Sequence, residues 1–238
     1  MTISKELLKK TALNHGIELG ELELDRFDKY AQLLIEWNSK INLTAITYPD
    51  EIVIKHFVDS LMLLNYLDMK DGSKLIDVGT GAGFPGIALL IARPNLDVTL
   101  LDGTKKKLNV IENILSELGL KAQTVHSRAE EAGKMPEFRE KFDFVTARAV
   151  SNLRELSEYC IPFAKVGGIF ASLKSVGVAE ELDGAKKAIK ELGGELCCIE
   201  QYSLEGCGER AIVNIKKISQ TSPKYPRASA QIAKNPLL

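Results

Sequence analysis

The sequence lacks any uninterrupted apolar run long enough to cross a lipid bilayer. Its first residues, Met1-Thr-Ile-Ser-Lys-Glu6, contain no apolar core of the kind that a secretory signal peptide needs. The composition is 45% hydrophobic and 26% charged over 238 residues, which is typical of one soluble globular domain with a short extension. We therefore expect no membrane association and a cytoplasmic location.

Paired cysteine motifs are also missing. The sequence has four cysteines and no C-x-x-C pair; they are Cys160, Cys197, Cys198 and Cys207. Structural zinc sites usually require such pairs at matched spacing. We therefore expect buried or unreactive thiols and a protein that uses no metal.

The chain as a whole has no excess of either charge, since its net charge is -1. This balance excludes a protein that is coated with basic residues. Residues 216–238 differ, because they include five cations and no acid. The cations are Lys216, Lys217, Lys224, Arg227 and Lys234. A local basic patch is sufficient to bind a polyanion such as a nucleic acid.

The most informative segment is a glycine-rich turn between an apolar run and a helix-forming run. Residues 75–86 are Leu-Ile-Asp-Val-Gly-Thr-Gly-Ala-Gly-Phe-Pro-Gly, and an apolar helical stretch follows. Strand, tight turn and helix in this order open a nucleotide-binding α/β sheet. Gly79, Gly81 and Gly83 have no Cβ, so the backbone can adopt positive φ and approach a ligand closely. The ligand should lie beyond the carboxyl ends of the strands.

This turn is compatible with two ligand-binding patterns. Residues 81–86 satisfy the dinucleotide pattern G-x-G-x-x-G, which is weak evidence on its own. Residues 77–83 place an acid before three alternating glycines, which resembles the first motif of S-adenosyl-L-methionine (SAM) methyltransferases. The acid suits a cationic cofactor better than a pyrophosphate. Phe84-Pro85 adds bulk and removes an amide donor that a pyrophosphate would need. We therefore favour SAM over NAD.

Residues 1–72 predict an N-terminal helical extension that packs on the core. Apolar residues at 3-4-3 spacing mark one helix face: Phe27, Tyr30, Leu34 and Trp37. A later helix places His56, Asp59 and Ser60 within one turn. Hydrolase triads come from distant segments that converge, so we interpret His56 as a hydrogen-bonded structural histidine.

Residues 73–218 predict the SAM-binding domain, and residues 219–238 predict a basic tail. Five alternating β/α units are followed by two β runs, Glu195–Leu204 and Arg210–Lys217. A closing antiparallel pair is unlike the dinucleotide fold. It is typical of the seven-stranded, Rossmann-like α/β sheet of class I SAM-dependent methyltransferases.

Polar residues at the strand ends predict further contacts. Asp102 ends the second β run, where both dinucleotide and SAM sites place an acid for the ribose hydroxyls. A helix N-cap is its alternative role, and Asp102 could also serve both roles. In a SAM site the loop after the third strand flanks the adenine, and Glu130 could accept a hydrogen bond from its exocyclic amine. The alternative is a solvated surface loop without a ligand contact. The fourth strand, 142–150, runs into Arg148, which should face the methionine carboxylate, the nucleic acid or both.

Six segments together point to one family. They are Trp37-Asn-x-x-Ile41-Asn-Leu-Thr, His56-x-x-Asp59-Ser-Leu, Asp77-Val-Gly-Thr-Gly-Ala-Gly-Phe-Pro-Gly86, Arg128-Ala-Glu130, Thr146-Ala-Arg-Ala149 and Lys224-Tyr-Pro-Arg227. In them the chain resembles the bacterial ribosomal RNA small subunit methyltransferase G family, also called glucose-inhibited division protein B. The resemblance covers nearly the whole chain. It departs after Arg227, where Ala-Ser-Ala-Gln-Ile-Ala replaces a Gly-Thr-Pro-like turn, and this departure leaves the conformation of the tail open.

The resemblance implies methyl transfer from SAM to N7 of one guanine in 16S ribosomal RNA, either as RNA or in the small ribosomal subunit. The implied cofactor contacts are Gly79, Phe84, Asp102, Gly103, Thr104, Ala129, Glu130 and Arg148. We add Gly81 and Gly83, the other two alternating glycines of the turn. The candidate contacts to RNA phosphates are Arg148, Lys174, Lys224 and Arg227. An ordinary surface lysine is the alternative for Lys174.

Guanine N7 carries a free lone pair at neutral pH, so no base has to remove a proton before it attacks the methyl group. We therefore expect no obligatory catalytic side chain, and a rate that depends on in-line positioning and dehydration. Two other functions stay open. A nicotinamide-dependent oxidoreductase would need a catalytic Tyr-x-x-x-Lys or His/Asp pair, and we find no convincing one downstream of the glycine-rich turn. An RNA-binding module without turnover would retain RNA and transfer no methyl group. We expect a monomer.

Overall fold

The computed structural model describes residues 2–148, 151–175 and 177–237. Its N-terminal part is helical, as the apolar periodicity predicts. The helices are α1 (Lys5–Asn14), α2 (Glu21–Asn38), α3 (Pro49–Ile52), a π-helical turn (Val53–Val58), α4 (Asp59–Leu61) and α5 (Leu63–Tyr66). Among the helices of the described ranges, none combines the length and the apolar character that crossing a membrane requires.

Seven strands form a single sheet. They are β1 (Lys74–Val78), β2 (Asp97–Asp102), β3 (Gln123–His126), β4 (Phe142–Arg148), β5 (Ala164–Ser175), β6 (Gly194–Leu204) and β7 (Gly208–Lys217). Their order across the sheet is β3-β2-β1-β4-β5-β7-β6. The first five strands are parallel, whereas β7 runs antiparallel to β5 and β6. The predicted seven-stranded sheet with its closing antiparallel pair is confirmed.

Helices cover both faces of this sheet. They are α6 (Gly86–Ala92), α7 (Lys105–Glu117), α8 (Ala129–Ala132), α9 (Leu153–Cys160), a 3-10 turn (Ile161–Phe163), α10 (Val178–Glu191) and α11 (Ser229–Lys234). Side chains of the extension, α6 and α7 form one buried cluster on one face. Side chains of α9, α10 and the tail form the other cluster. The extension therefore shares its core with the sheet.

The fourth and fifth strands can be compared with the sequence pattern. The last residues predicted for the fourth strand, Ala149 and Val150, lie outside the described residues. The pair Gly167-Gly168 predicts a turn that leads into a strand over residues 167–174. The fifth strand instead begins at Ala164 and includes both glycines. A register shift between Phe142 and Phe144 accommodates that pair, and Gly167 has φ of +91° there. The strand thus continues through an irregularity that the sequence pattern indicated as a boundary.

Aromatic stacking attaches the extension to the glycine-rich turn. The ring centre of Phe84 lies 5.1 Å from that of Tyr30 and 4.6 Å from that of His56. The Phe57 ring is 5.9 Å away. These four rings come from the extension and from the turn itself, and three of them are fully or almost fully buried hydrophobic side chains. The turn is therefore supported by the N-terminal helices.

Gly83 is required by packing. The hydroxyl of the buried Tyr30 donates a hydrogen bond of 2.7 Å to the carbonyl oxygen of Ala82. A Cβ at Gly83 would lie 2.7 Å from that hydroxyl and 2.5 Å from Cδ1 of Ile87. Its φ of +100° also favours glycine. Only glycine lets the extension approach the turn this closely.

Replacing Tyr30 with phenylalanine should lower the free energy of unfolding by about 1–3 kcal/mol, because the buried carbonyl of Ala82 loses its donor. Urea denaturation followed by fluorescence measures this loss. Tyr48→Phe is the matched control, since the Tyr48 side chain is 72% exposed and its hydroxyl should not affect stability. Equal stability of the two variants would contradict the proposed support of the turn.

Candidate functional site

Asp102 joins two loops at the end of β2. Its Oδ2 accepts a hydrogen bond of 3.0 Å from the amide of Gly81, and its Oδ1 accepts one of 2.7 Å from the amide of Thr104. The N-cap of α7 is Thr104, so the alternative of Asp102 as the N-cap of this helix is wrong. A carboxylate accepts about four hydrogen bonds, so Asp102 retains capacity for ligand hydroxyls.

A first cavity of about 360 Å³ opens beside Asp102. Its lining includes predicted cofactor contacts, namely Gly79, Asp102, Gly103, Thr104, Ala129 and Glu130. Sequence reasoning missed Glu155, Tyr159 and Ser229, which also line it. The carboxyl ends of β1 and β2 meet here, as expected for a ligand site in a parallel sheet.

Two further cavities continue from the first. The second has about 340 Å³, shares Gly79 with the first, and also contacts Gly81 and Phe84. The third has about 350 Å³ and shares His56 and Arg148 with the second. The three cavities therefore form a row along the edge of the sheet. Within the described residues, Gly83 lines none of them, because it faces the extension.

Arg148 ends β4 between the second and third cavities. Its Nη2 donates to Nδ1 of His56 at 3.0 Å, and its Nη1 donates to the carbonyl oxygen of Lys55 at 3.1 Å. The same Nη1 lies 3.4 Å from Oδ2 of Asp59. The guanidinium carbon is 5.0 Å from the centre of the Phe84 ring. Contacts from the extension thus hold this charge in place.

His56 is neutral in this environment. Arginine can only donate, so Nδ1 of His56 accepts from Arg148, and Nε2 donates to Oγ1 of Thr44 at 2.8 Å. Burial and the nearby charge of Arg148 lower the pKa of His56 to about 3. The interpretation of His56 as a hydrogen-bonded histidine is confirmed. Its position on two cavities had no signal in the sequence.

Asp59 connects the extension with the far side of the sheet. Its buried carboxylate accepts a hydrogen bond of 2.9 Å from the hydroxyl of Tyr202 in β6. Nε of Arg210 in β7 lies 3.9 Å from the same carboxylate oxygen. Burial and Asp59 raise the pKa of Tyr202 above its ordinary value, which keeps the hydroxyl protonated as a donor. These contacts compensate a charge that is buried beside the third cavity.

The acid that precedes the glycines has a different role from the one that the motif suggested. Oδ2 of Asp77 accepts from Oγ1 of Thr80 at 2.7 Å and from the amide of Gly86 at 2.9 Å. In the described part of the chain, Asp77 lines none of the three cavities. It shapes the turn from inside. Burial disfavours its charged form and raises its pKa to about 6.

The predicted RNA contacts lie in different surroundings. Lys174 shares the third cavity with Arg148, and Lys174 and Lys224 each lie against a glutamate of α10, at 2.8 and 3.0 Å. Arg227 pairs with the buried Glu158 at 2.7 Å. Their contact with RNA stays a prediction. Within the described ranges, histidines, cysteines and carboxylates form no group that could hold a metal ion.

Solved structures of low sequence identity share this fold. TrmN from Thermus thermophilus superposes with a TM-score of 0.53 at 19% identity, over 68% of this chain and 48% of its own. The YcgJ protein from Bacillus subtilis gives a TM-score of 0.52 at 14% identity, over 69% of this chain and 100% of its own. With the strand order and the cavity at the first turn, these likenesses define a class I methyltransferase fold.

Sequence comparison specifies the family. The sequence pattern of the GidB family, described as rRNA small subunit methyltransferase G, matches residues 23–213. Relatives named ribosomal RNA small subunit methyltransferase G include proteins of Clostridium novyi and Brevibacillus brevis. The first is 45% identical over 98% of this chain and 97% of its own. The second is 43% identical over 99% of this chain and 100% of its own. The chain belongs to the rRNA small subunit methyltransferase G family.

The buried Asp77 should make stability depend on pH. Its pKa is about 6 in the folded chain and 3.8 in an ordinary environment, so the folded state binds a proton more tightly. The wild type should therefore gain stability relative to Asp77→Asn as the pH falls from 7 to 4. The limiting slope is about 1.4 kcal/mol per pH unit. Urea denaturation of both proteins at several pH values measures the difference.

Asp183→Asn is the control for this experiment, because Asp183 is exposed and its pKa lies below 3.8. Its difference from the wild type should stay constant between pH 7 and pH 5. A constant difference for Asp77→Asn over the same range would show that Asp77 does not bind a proton as proposed.

Proposed function

We propose that this protein transfers the methyl group of SAM to N7 of a guanine in 16S ribosomal RNA. The observation that carries the proposal is the first cavity, where the carboxylate of Asp102 is fixed by two backbone amides beside space for a nucleoside. Family membership supports the ribosomal substrate. The guanine specificity rests on the resemblance of the sequence motifs to the family.

The residues of the first two cavities fit SAM. The two ribose hydroxyls would donate to Asp102, and the adenine would lie against Ala129 and Glu130. The backbone at Gly81 is accessible to a ligand. A Cβ built there would have only one neighbouring atom within 4 Å, the carbonyl oxygen of Gly79 at 3.8 Å, so the space beside it is open. The methionine part would follow this open backbone toward Arg148, whose guanidinium suits its carboxylate.

The same turn is unsuited to the pyrophosphate of NAD. Phosphate groups bind free backbone amides at the start of a helix. Here the amides of Gly83 and Phe84 donate to the carbonyl oxygen of Thr80, at 2.8 and 3.1 Å. The amide of Gly86 donates to Asp77. These amide donors are therefore already used inside the protein. The buried Asp77 also places negative charge beside the turn, which disfavours a pyrophosphate, so the geometry too favours SAM over NAD.

The target base would enter from the third cavity. Arg148 and His56 lie at the junction of the second and third cavities, so donor and acceptor would meet beside them. Lys174 and Arg210 line the third cavity and provide positive charge for RNA phosphates. When bound, SAM supplies an electrophilic methyl group on a sulfonium. The protein orients the two reactants and excludes water.

A general base is not needed, since N7 of guanine carries its lone pair at neutral pH. His56 is the nearest candidate at the junction, and it is neutral there, but both of its ring nitrogens are engaged in hydrogen bonds. Its ring stacks on Phe84, at 4.6 Å between centres. We therefore assign His56 a positioning role, through Arg148 and Phe84.

Asp102→Asn should raise the dissociation constant of SAM roughly 10- to 100-fold, because hydrogen bonds to a charged acceptor contribute about 1.5–3 kcal/mol. Turnover at saturating SAM should persist. Calorimetry measures binding, and radiolabelled methyl transfer to small ribosomal subunits measures turnover. Asp97→Asn is the matched control, because Asp97 is exposed at the other end of β2. This variant should bind SAM with the affinity of the wild type.

Glu130→Gln should behave similarly with a smaller loss of affinity, because one hydrogen bond to the adenine weakens. Variants of Asp102 and Glu130 that bind SAM and RNA normally yet transfer no methyl group would contradict the absence of a catalytic acid or base.

Binding of NAD instead of SAM by the wild type would overturn the proposed cofactor. Mapping of methylated guanines in 16S ribosomal RNA, from cells with and without the protein, tests the proposed substrate.

A further inference from the structure

The C-terminal segment 219–237, which we call the tail, lies on the protein surface beside α8 and α9 rather than forming a free basic arm. The side chain of Arg139 is its main anchor. Nη1 donates to the carbonyl oxygens of Tyr225 at 2.8 Å and Gly133 at 3.0 Å. Nη2 donates to those of Thr221 at 2.6 Å and Ser222 at 3.2 Å. One guanidinium thus binds three carbonyls of the tail and one near the end of α8.

A second anchor fixes the beginning of the tail. The amide of Thr221 donates to Oε1 of Glu140 at 2.7 Å, and its hydroxyl donates to the carbonyl oxygen of Leu192 at 2.6 Å. The buried Lys217 lies 3.2 Å from the same oxygen of Glu140. Burial lowers the pKa of Lys217 to about 8. Lys217, one of the five cations of the basic segment, is therefore used inside the fold.

Arg227 provides the third anchor. Its Nε and Nη2 donate to the two carboxylate oxygens of Glu158 at 2.8 and 2.7 Å, and its own amide donates to Oε1 at 2.8 Å. The Glu158 side chain is 1% exposed. A carboxylate buried this deeply is costly unless it is paired. Glu158 belongs to α9 and directly precedes Tyr159, which lines the first cavity.

The anchored tail reaches the first cavity itself. Ser229, two residues after Arg227, is part of the cavity lining. Pro226 packs on Gly133, where a Cβ would lie 3.2 Å from Cγ of the proline. Gly133 directly follows α8, which carries the predicted adenine contacts Ala129 and Glu130.

We propose that the tail is a fixed wall of the SAM site and that the pair between Arg227 and Glu158 holds it there. This inference rests on the proposed function, because it assumes that the first cavity receives adenosine. The pair presses Pro226 against the end of α8 and places Ser229 at the cavity. Arg227 is then a positioning residue for the cofactor, in place of the RNA contact that the sequence suggested.

Arg227→Ala should raise the dissociation constant and the KM of SAM on the order of tenfold, which corresponds to 1.4 kcal/mol. The kcat at saturating SAM and the KM of the small ribosomal subunit should stay close to those of the wild type. Arg227→Lys should give an intermediate value, because one charged hydrogen bond survives. Lys234→Ala is the matched control, since it removes one positive charge from an exposed position of the same tail.

Glu158→Gln tests the same pair from the other side. It keeps the shape and one acceptor, so it should fold even if Arg227→Ala does not, and it should weaken SAM binding in the same direction. A higher KM for the ribosomal subunit with an unchanged SAM dissociation constant would make Arg227 an RNA contact and overturn the inference. Normal SAM binding by both variants would overturn it as well.

The wild type separates this inference from the proposed function. A wild-type protein that binds no SAM contradicts the proposed function. A wild type that binds SAM and variants that bind it equally well contradict only the role of the tail. Calorimetry with SAM alone, without RNA, distinguishes these outcomes.

Discussion

The site depends on the carboxylate of Asp102, which binds the amides of Gly81 and Thr104 at once. Parallel pairing aligns Val78 with Leu101, so the glycine-rich turn and the turn after β2 begin side by side. Asp102 then locks the two turns together and forms one edge of the first cavity. Because the carboxylate is already held by the backbone, binding of the proposed nucleoside would require little reorganisation of the protein.

The N-terminal extension completes the site from the opposite side. Its His56 and Asp59 hold Arg148, and its aromatic rings hold Phe84. Asp59 is in turn compensated by Tyr202, so contacts from both ends of the chain converge on the end of β4. A buried charge needs such partners, since desolvation without them is unfavourable. The helices are therefore part of the proposed site as well as part of the core.

Features set by local spacing were predictable from the sequence, and features set by distant contacts were not. The glycine turn, Asp102 at a strand end and the closing strand pair follow from patterns within short windows. A motif cannot show which way a carboxylate points, and Asp77 turns inward to Thr80 and Gly86. The sequence predicted Arg227 as an RNA contact, because its ion-pair partner Glu158 lies 69 residues away and no local pattern connects the two. Tyr159 and Ser229 reach the cavity only through tertiary packing.

A crystal structure of the protein with SAM tests the central claim most directly. The adenosine should occupy the first cavity with both ribose hydroxyls within hydrogen-bond distance of Asp102, and the methyl group should point to the junction beside His56 and Arg148. An empty first cavity at saturating SAM, or a ribose bound away from Asp102, would contradict it.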